Sequence, residues 1–242
     1  ASDVYKRQVG MLTVGLPNYD AVPIIILSAI FQTGYCVALF KGYQIGDLSS
    51  VYPIARGSAP VFVFVFSLIF FEITFGWRIS FGITVFCAGL FVYALSAIRN
   101  TGPKLKEVAF ALAIGFFIAC YSITDAIGTR LVGNALSFFG AMAIFNRIFL
   151  ITYLCRFEKG MVRRMRLEFE YKYVIAGLFA FMCYAVVLWA YTILPISVVA
   201  TLRESSVLFA TLLGIFVLRE TLTPAKLFMF GSVTTGLFFI LS

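Results

Sequence analysis

The stretch Ser50-Val51-Tyr52-Pro53-Ile54-Ala55-Arg56-Gly57-Ser58-Ala59-Pro60 returns in altered form 147 positions later. The later copy reads Ser197-Val198-Val199-Ala200-Thr201-Leu202-Arg203-Glu204-Ser205-Ser206-Val207. At the same offset Ser50/Ser197, Val51/Val198, Arg56/Arg203, Ser58/Ser205, Phe62/Phe209, Thr74/Thr221, Phe81/Phe228 and Gly89-Leu90-Phe91/Gly236-Leu237-Phe238 are identical. Upstream, Tyr35, Val37 and Leu39 match Tyr184, Val186 and Leu188 at offset 149, so the second copy has lost two loop residues. Chance explains some matches among apolar residues, but not two aligned arginines inside apolar runs.

Those runs dominate the chain. Of its 242 residues 62% are hydrophobic and only 12% charged, with a mean hydropathy of +1.00. A soluble domain carries about twice that charged fraction. Nucleic-acid binding, soluble catalysis and disorder are thereby excluded, and the net charge of +8 reads as membrane orientation. The runs are also too long and unbroken for the alternating strands of an outer-membrane barrel.

Eight apolar runs are long enough to span: 21–43, 49–71, 79–98, 107–127, 134–155, 172–194, 196–218 and 225–241. The breaks carry Gly, Pro, Asp or charge. Residues 1–20 open without Met, lack a signal-peptide layout, and read as a non-membrane remnant.

The repeat aligns the first three spans with the last three, so the unit is five helices long. Five is odd, and the two copies must then run in opposite directions through the bilayer, the inverted repeat of many secondary transporters. The expected fold is an all-α integral membrane protein of two inverted five-helix repeats, with eight transmembrane helices present and the first two of ten missing. Its parts are the remnant 1–20, the last three helices of the first repeat (21–98), a cytoplasmic linker (99–106) and the second repeat (107–242).

Lys and Arg on alternate sides give the orientation. One face collects Lys41, Arg99, Lys104, Lys106, Arg156, Lys159, Arg163, Arg164, Arg166, Lys172, Arg219 and Lys226; the other holds Arg78, Arg130, Lys6 and Arg7. The richer face belongs in the cytoplasm, which puts both ends of this chain outside. The loop from Arg156 to Lys172 reads as a topology anchor, with an anionic-lipid contact as the alternative.

Polar residues inside spans are costly and mark function or pairing. Arg56 lies about four residues from its span centre, roughly 6 Å at 1.5 Å per residue, and Arg203 is similarly placed on the inverted copy. Two opposed guanidiniums suit a carboxylate, phosphate or other anion. Glu204 adjoins Arg203, but helix neighbours diverge by about 100°, so its expected partner is Arg56 or Arg147 across the bundle. A structural ion pair and a site exchanging Arg and Glu between substrate and proton both stand open. With no His in the chain, Glu204 is the natural proton-coupling candidate.

Tyr35, Tyr184 and Tyr52 are candidate cavity-lining residues. Asp125 and Arg130, near the outer end of the fourth span, read as an interfacial pair or a gate. Pro53, Gly57 and Pro60 are expected to loosen the second span. Gly82 and Gly89, seven apart, suggest close helix packing. Glu72 and Glu220 read as interfacial caps, and the five Cys as small buried hydrophobes.

At these residues the chain resembles the EamA branch of the drug/metabolite transporter superfamily. Gly46 to Pro60 resembles its signature, Leu202 to Phe209 the second-repeat counterpart, and Tyr121 to Arg130 a stretch near the end of the sixth of ten helices. The resemblance covers residues 21–242. It implies ten helices around a central cavity and alternating-access movement of small metabolites. Many members are drawn with both termini in the cytoplasm, whereas the charge count here places them outside.

The expected activity is secondary transport of a small polar solute, anionic or zwitterionic, across an inner membrane, with proton coupling open. A non-transporting receptor or assembly subunit is the alternative, and a membrane-embedded enzyme a weaker one, since no paired carboxylates or HExxH spacing appear. No cofactor, metal or nucleic-acid partner is expected. The expected partners are the solute and the bilayer, with a homodimer left open.

Overall fold

The computed structural model describes residues 19–46, 48–71, 76–102, 104–158, 171–217, 219 and 221–241. The N-terminal remnant up to residue 18 with Lys6 and Arg7, the loop charges Lys159, Arg163, Arg164 and Arg166, and Asp47, Glu72 and Glu220 lie outside them.

All eight apolar runs are helical, and the described residues contain no strand. After a 3-10 turn at Tyr19–Ala21 come α1 (Val22–Ile45), α2 (Leu48–Phe71), α3 (Trp77–Thr101), α4 (Leu105–Val132), α5 (Ala135–Phe157), α6 (Tyr171–Ile193), α7 (Ile196–Glu204), α8 (Ser206–Phe216) and α9 (Pro224–Leu241). Among the described residues seven segments are long and apolar enough to cross a membrane; α2 has the length, with its apolar stretch over Ile54–Ile69. Several helices outrun their apolar cores because capping groups end them, not polarity. Gly102 closes α3 at φ 56°, donating its N–H to the Ile98 carbonyl. Gly133 closes α4 at φ 72° in the same way, onto Thr129. Asn134 then starts α5, its side chain accepting from the Leu136 and Ser137 N–H groups.

The seventh run is one span in two pieces. At Ser205 the backbone takes a tight turn: its N–H reaches the Leu202 carbonyl, three residues back, and its hydroxyl donates to the same carbonyl at 2.6 Å. A side chain competing for the helix ladder is a known cause of such a break. Pro53, Gly57 and Pro60 do not interrupt α2, which is one continuous helix, although neither proline has an N–H to give to its ladder. Gly57 serves packing instead: a Cβ there would come within 2.9 Å of the Leu90 carbonyl oxygen.

Large apolar side chains such as Phe91, Ile144, Phe179, Phe216 and Phe238 are exposed. In water this would be an aggregating surface; in lipid it is the ordinary outer face of a span.

The chain packs as two units. Unit 1 comprises Ala1–Thr33 and Thr124–Ile193, and unit 2 comprises Gly34–Ile123 and Leu194–Ser242. In unit 1 the Phe138 ring fills the space beside Gly128, and Phe139 stacks on Phe181 at 4.5 Å. In unit 2, α3 and α9 pack backbone to backbone. A Cβ on Gly236 would lie 2.7 Å from the Gly82 carbonyl oxygen, and one on Gly82 would lie 2.8 Å from that of Gly236. Around this seam Phe86, Leu90, Val207, Met229 and Val233 form one buried cluster, and Ile83, Cys87, Val198 and Ile240 another.

The seam displays the inversion directly. Under the repeat, position 82 corresponds to 229 and position 89 to 236. Gly236 meets Gly82, and Gly89 faces the Met229 carbonyl, which is the same contact made twice. As α3 advances from 82 to 89 its partner descends from 236 to 229, so the two related helices are antiparallel.

Candidate functional site

The structure gathers the intramembrane polar residues into two clusters, one in each unit.

In unit 2 the centre is Glu204, the last residue of α7 and 1% exposed. One carboxylate oxygen, Oε2, accepts from Arg56 Nη1 of α2 at 2.9 Å. The other, Oε1, lies 3.2 Å from both Nε and Nη2 of Arg203. The expected cross-bundle partner is therefore Arg56. The expectation that Arg203 and Glu204 turn away from each other is corrected. Helix geometry separates the directions of neighbouring side chains, but the arginine is long enough for its guanidinium to fold back onto the carboxylate beside it. The three charges sum to one positive.

Aromatic rings back both guanidiniums. Arg56 lies over the Tyr52 ring at 5.6 Å and Arg203 over the Tyr121 ring at 5.5 Å. Tyr121 also meets Tyr35 edge to face at 5.6 Å, and its hydroxyl is 3.4 Å from Arg203 Nη1. Tyr35, Tyr43, Tyr52 and Arg56, with the apolar Leu39, Ala55, Ile114 and Ile118, line a cavity of about 60 Å³. That is room for a few waters. Arg56 retains 29% exposure and is the charged group on that cavity wall. Chemically, the cluster can hold an anion on spare guanidinium donors while phenol hydroxyls offer both donors and acceptors.

In unit 1 the centre is Asp125 of α4, fully buried. Its Oδ1 accepts from the Ser28 hydroxyl of α1, and its Oδ2 from the Tyr184 hydroxyl of α6. Gln32 Nε2 donates to the Tyr184 oxygen at 3.0 Å and approaches Asp125 Oδ2 at 3.4 Å. Nearby on α1, Thr33 accepts from Asn146 Nδ2 of α5 at 3.2 Å. Asp125 thus lies inside the bundle, while Arg130 donates from Nε to the Tyr191 carbonyl at 2.8 Å and ties the end of α4 to α6.

Of the residues singled out from sequence, Arg56, Arg203, Glu204, Tyr35 and Tyr52 meet in unit 2, and Tyr184 joins Asp125 in unit 1. The repeat-related Tyr35 and Tyr184 therefore serve different clusters. Ser28, Gln32 and Tyr43 escaped notice, and Tyr121, noted beside Asp125, joins Arg203 instead. Ser28 and Gln32 carry a signal, four apart on one helix face in an otherwise apolar run; Tyr43 does not stand out among twelve tyrosines. Among the described residues no group of three His, Cys, Asp or Glu could hold a metal ion.

Comparison with known proteins agrees with this architecture. Residues 105–242, more than half of the chain, match the EamA-like transporter family. No curated protein matches. The fold is similar to that of a solved crystal structure at 12% sequence identity and a TM-score of 0.70, covering 94% of this chain and 79% of that one.

Proposed function

The chain belongs to the EamA-like transporter family, and from that premise we propose that it carries a small carboxylate-bearing solute, anionic or zwitterionic, by alternating access. It is an integral, multi-pass membrane protein. Family membership supports transport; the observation that supports the substrate class is the Arg56–Glu204–Arg203 cluster.

Glu204 occupies the two arginines in the way a substrate carboxylate would. Arg56 is the more exposed partner and the one on the cavity wall, so it is the guanidinium an incoming carboxylate reaches. The solute takes Glu204's place on Arg56, and Glu204 retains Arg203. No charge is left bare during the exchange, which matters because an unpaired charge inside a membrane protein costs several kcal/mol. Tyr52 holds the Arg56 plane in place, and the Tyr35 and Tyr43 hydroxyls supply contacts for a polar tail. We place the protein in an inner membrane, with its basic faces toward the cytoplasm.

The test is counterflow in proteoliposomes with a panel of labelled amino acids and mono- and dicarboxylates. At least one carboxylate-bearing solute should exchange. Arg56→Ala, which leaves Glu204 paired with Arg203, should weaken it. Losing a charged hydrogen bond is worth about 1.5–3 kcal/mol, roughly a tenfold to hundredfold loss of affinity. Unchanged exchange by a monodisperse Arg56→Ala protein overturns the assignment.

A further inference from the structure

We infer that Asp125, and not Glu204, is the carboxylate that takes up and releases a proton in this protein. The argument rests on what the partners of each carboxylate can do.

Glu204 is held by two guanidiniums, which only donate hydrogen bonds. A proton placed on Glu204 would meet donors on both sides, break two ion pairs and leave two part-buried cations without that carboxylate. Asp125 is held by the Ser28 hydroxyl, the Tyr184 hydroxyl and the Gln32 carboxamide, all of which both donate and accept. When Asp125 is ionised they donate to it. When it binds a proton, its O–H donates to the Tyr184 or Ser28 oxygen and the hydroxyl hydrogen turns to another acceptor. Each partner can thus answer either protonation state by turning its own hydroxyl or carboxamide.

The cluster also has a less buried side. Ser28 and Asp125 are fully buried, whereas Gln32 and Tyr184 are only half-buried and bonded to each other at 3.0 Å. Proton uptake forms one O–H bond at Asp125 Oδ2 and breaks one in a hydronium ion, which leaves as water; release is the reverse, and Gln32 and Tyr184 keep their own hydrogens. The ionisable side chains that these elements carry besides Asp125 include Tyr184 and Tyr191 on α6, Arg130 on α4 with Nε on the Tyr191 carbonyl, and Arg147 and Tyr153 on α5. The part of α1 in this unit contributes none. The role of Asp125 in coupling rests on the transport reading above; its proton uptake does not.

The experiment is infrared pH-difference spectroscopy of the full chain in phosphatidylcholine vesicles, with no solute present. Wild type should show a titrating C=O stretching band of a protonated carboxyl group. The band should vanish in Asp125→Asn and persist in Glu204→Gln. Ser28→Ala and Tyr184→Phe keep the carboxyl and change its partners, so each should shift the band's frequency even where Asp125→Asn fails to fold. A band that survives in Asp125→Asn, that disappears in Glu204→Gln alone, or that ignores both partner variants overturns the inference, as does the absence of any titrating band. Counterflow without this band removes the proton site and leaves transport standing. The band without counterflow does the reverse.

Discussion

Replacing Glu204 by Gln should destabilise the protein more than replacing either arginine, although both arginines are larger. Glu204 is 1% exposed and is the carboxylate shared by two guanidiniums, at 2.9 Å and 3.2 Å. Its neutralisation removes two ion pairs and leaves two cations facing each other. Breaking a buried pair from one side costs about 3–5 kcal/mol. The 29% exposure of Arg56 lets water screen part of that, so the lower end, about 3 kcal/mol, applies here. Arg56→Gln removes one charge-assisted bond and leaves Glu204 with the Nε and Nη2 contacts of Arg203, at about 1.5 kcal/mol. If the two effects were independent, the double variant would lose about 4.5 kcal/mol. Because the pair is shared it should lose about 3, a coupling of about 1.5 kcal/mol. Reversible unfolding by SDS in mixed micelles measures all four corners of this cycle. Arg56→Gln as damaging as Glu204→Gln, or additivity within about 0.5 kcal/mol, refutes the shared-carboxylate reasoning.

Three further outcomes follow from the packing. Gly82→Ala should destabilise by about 1–3 kcal/mol, because its Cβ would lie 2.8 Å from the Gly236 carbonyl oxygen, and backbone cannot step aside; Gly231→Ala on the same α9, with open space around it, should be neutral or stabilising by the same unfolding assay. Asn134→Ala deletes the α5 cap and should cost about 1 kcal/mol, with faster hydrogen exchange at the Leu136 and Ser137 amides. Tyr52→Leu removes the ring beneath Arg56 and should reduce counterflow affinity about fivefold, whereas Tyr52→Phe keeps the ring and should leave it nearly unchanged.

What the sequence discloses and what it conceals divide along a physical line. Spans are legible because hydropathy needs no knowledge of neighbours: every apolar run is helical, to within a few residues. The inversion is legible because parity follows from counting. The Arg56–Glu204 pair is nearly so, since a carboxylate inside a span must find a cation and few are available. Details that depend on backbone departures are hidden. Ser205 looks like an ordinary helix residue, yet the seventh run divides there. Asp125 was expected to pair with Arg130 at an interface or to form a gate; the fourth run was ended at 127, whereas α4 continues to Val132 and the Ser28 and Tyr184 hydroxyls that bond Asp125 lie on α1 and α6. Seven more residues at 1.5 Å each put that helix end about 10 Å beyond Asp125. Its partners come from 59, 93 and 97 positions away, and no local pattern could have named them. The distinction that matters most for function is of this second kind. Both carboxylates are single acidic letters in apolar runs, and both are buried. One is held by two guanidiniums, which only donate, and the other by hydroxyls and a carboxamide, which donate or accept, and the proton assignment proposed above rests on that difference. Charge is written in the sequence; the capacity to change charge is written in the neighbours.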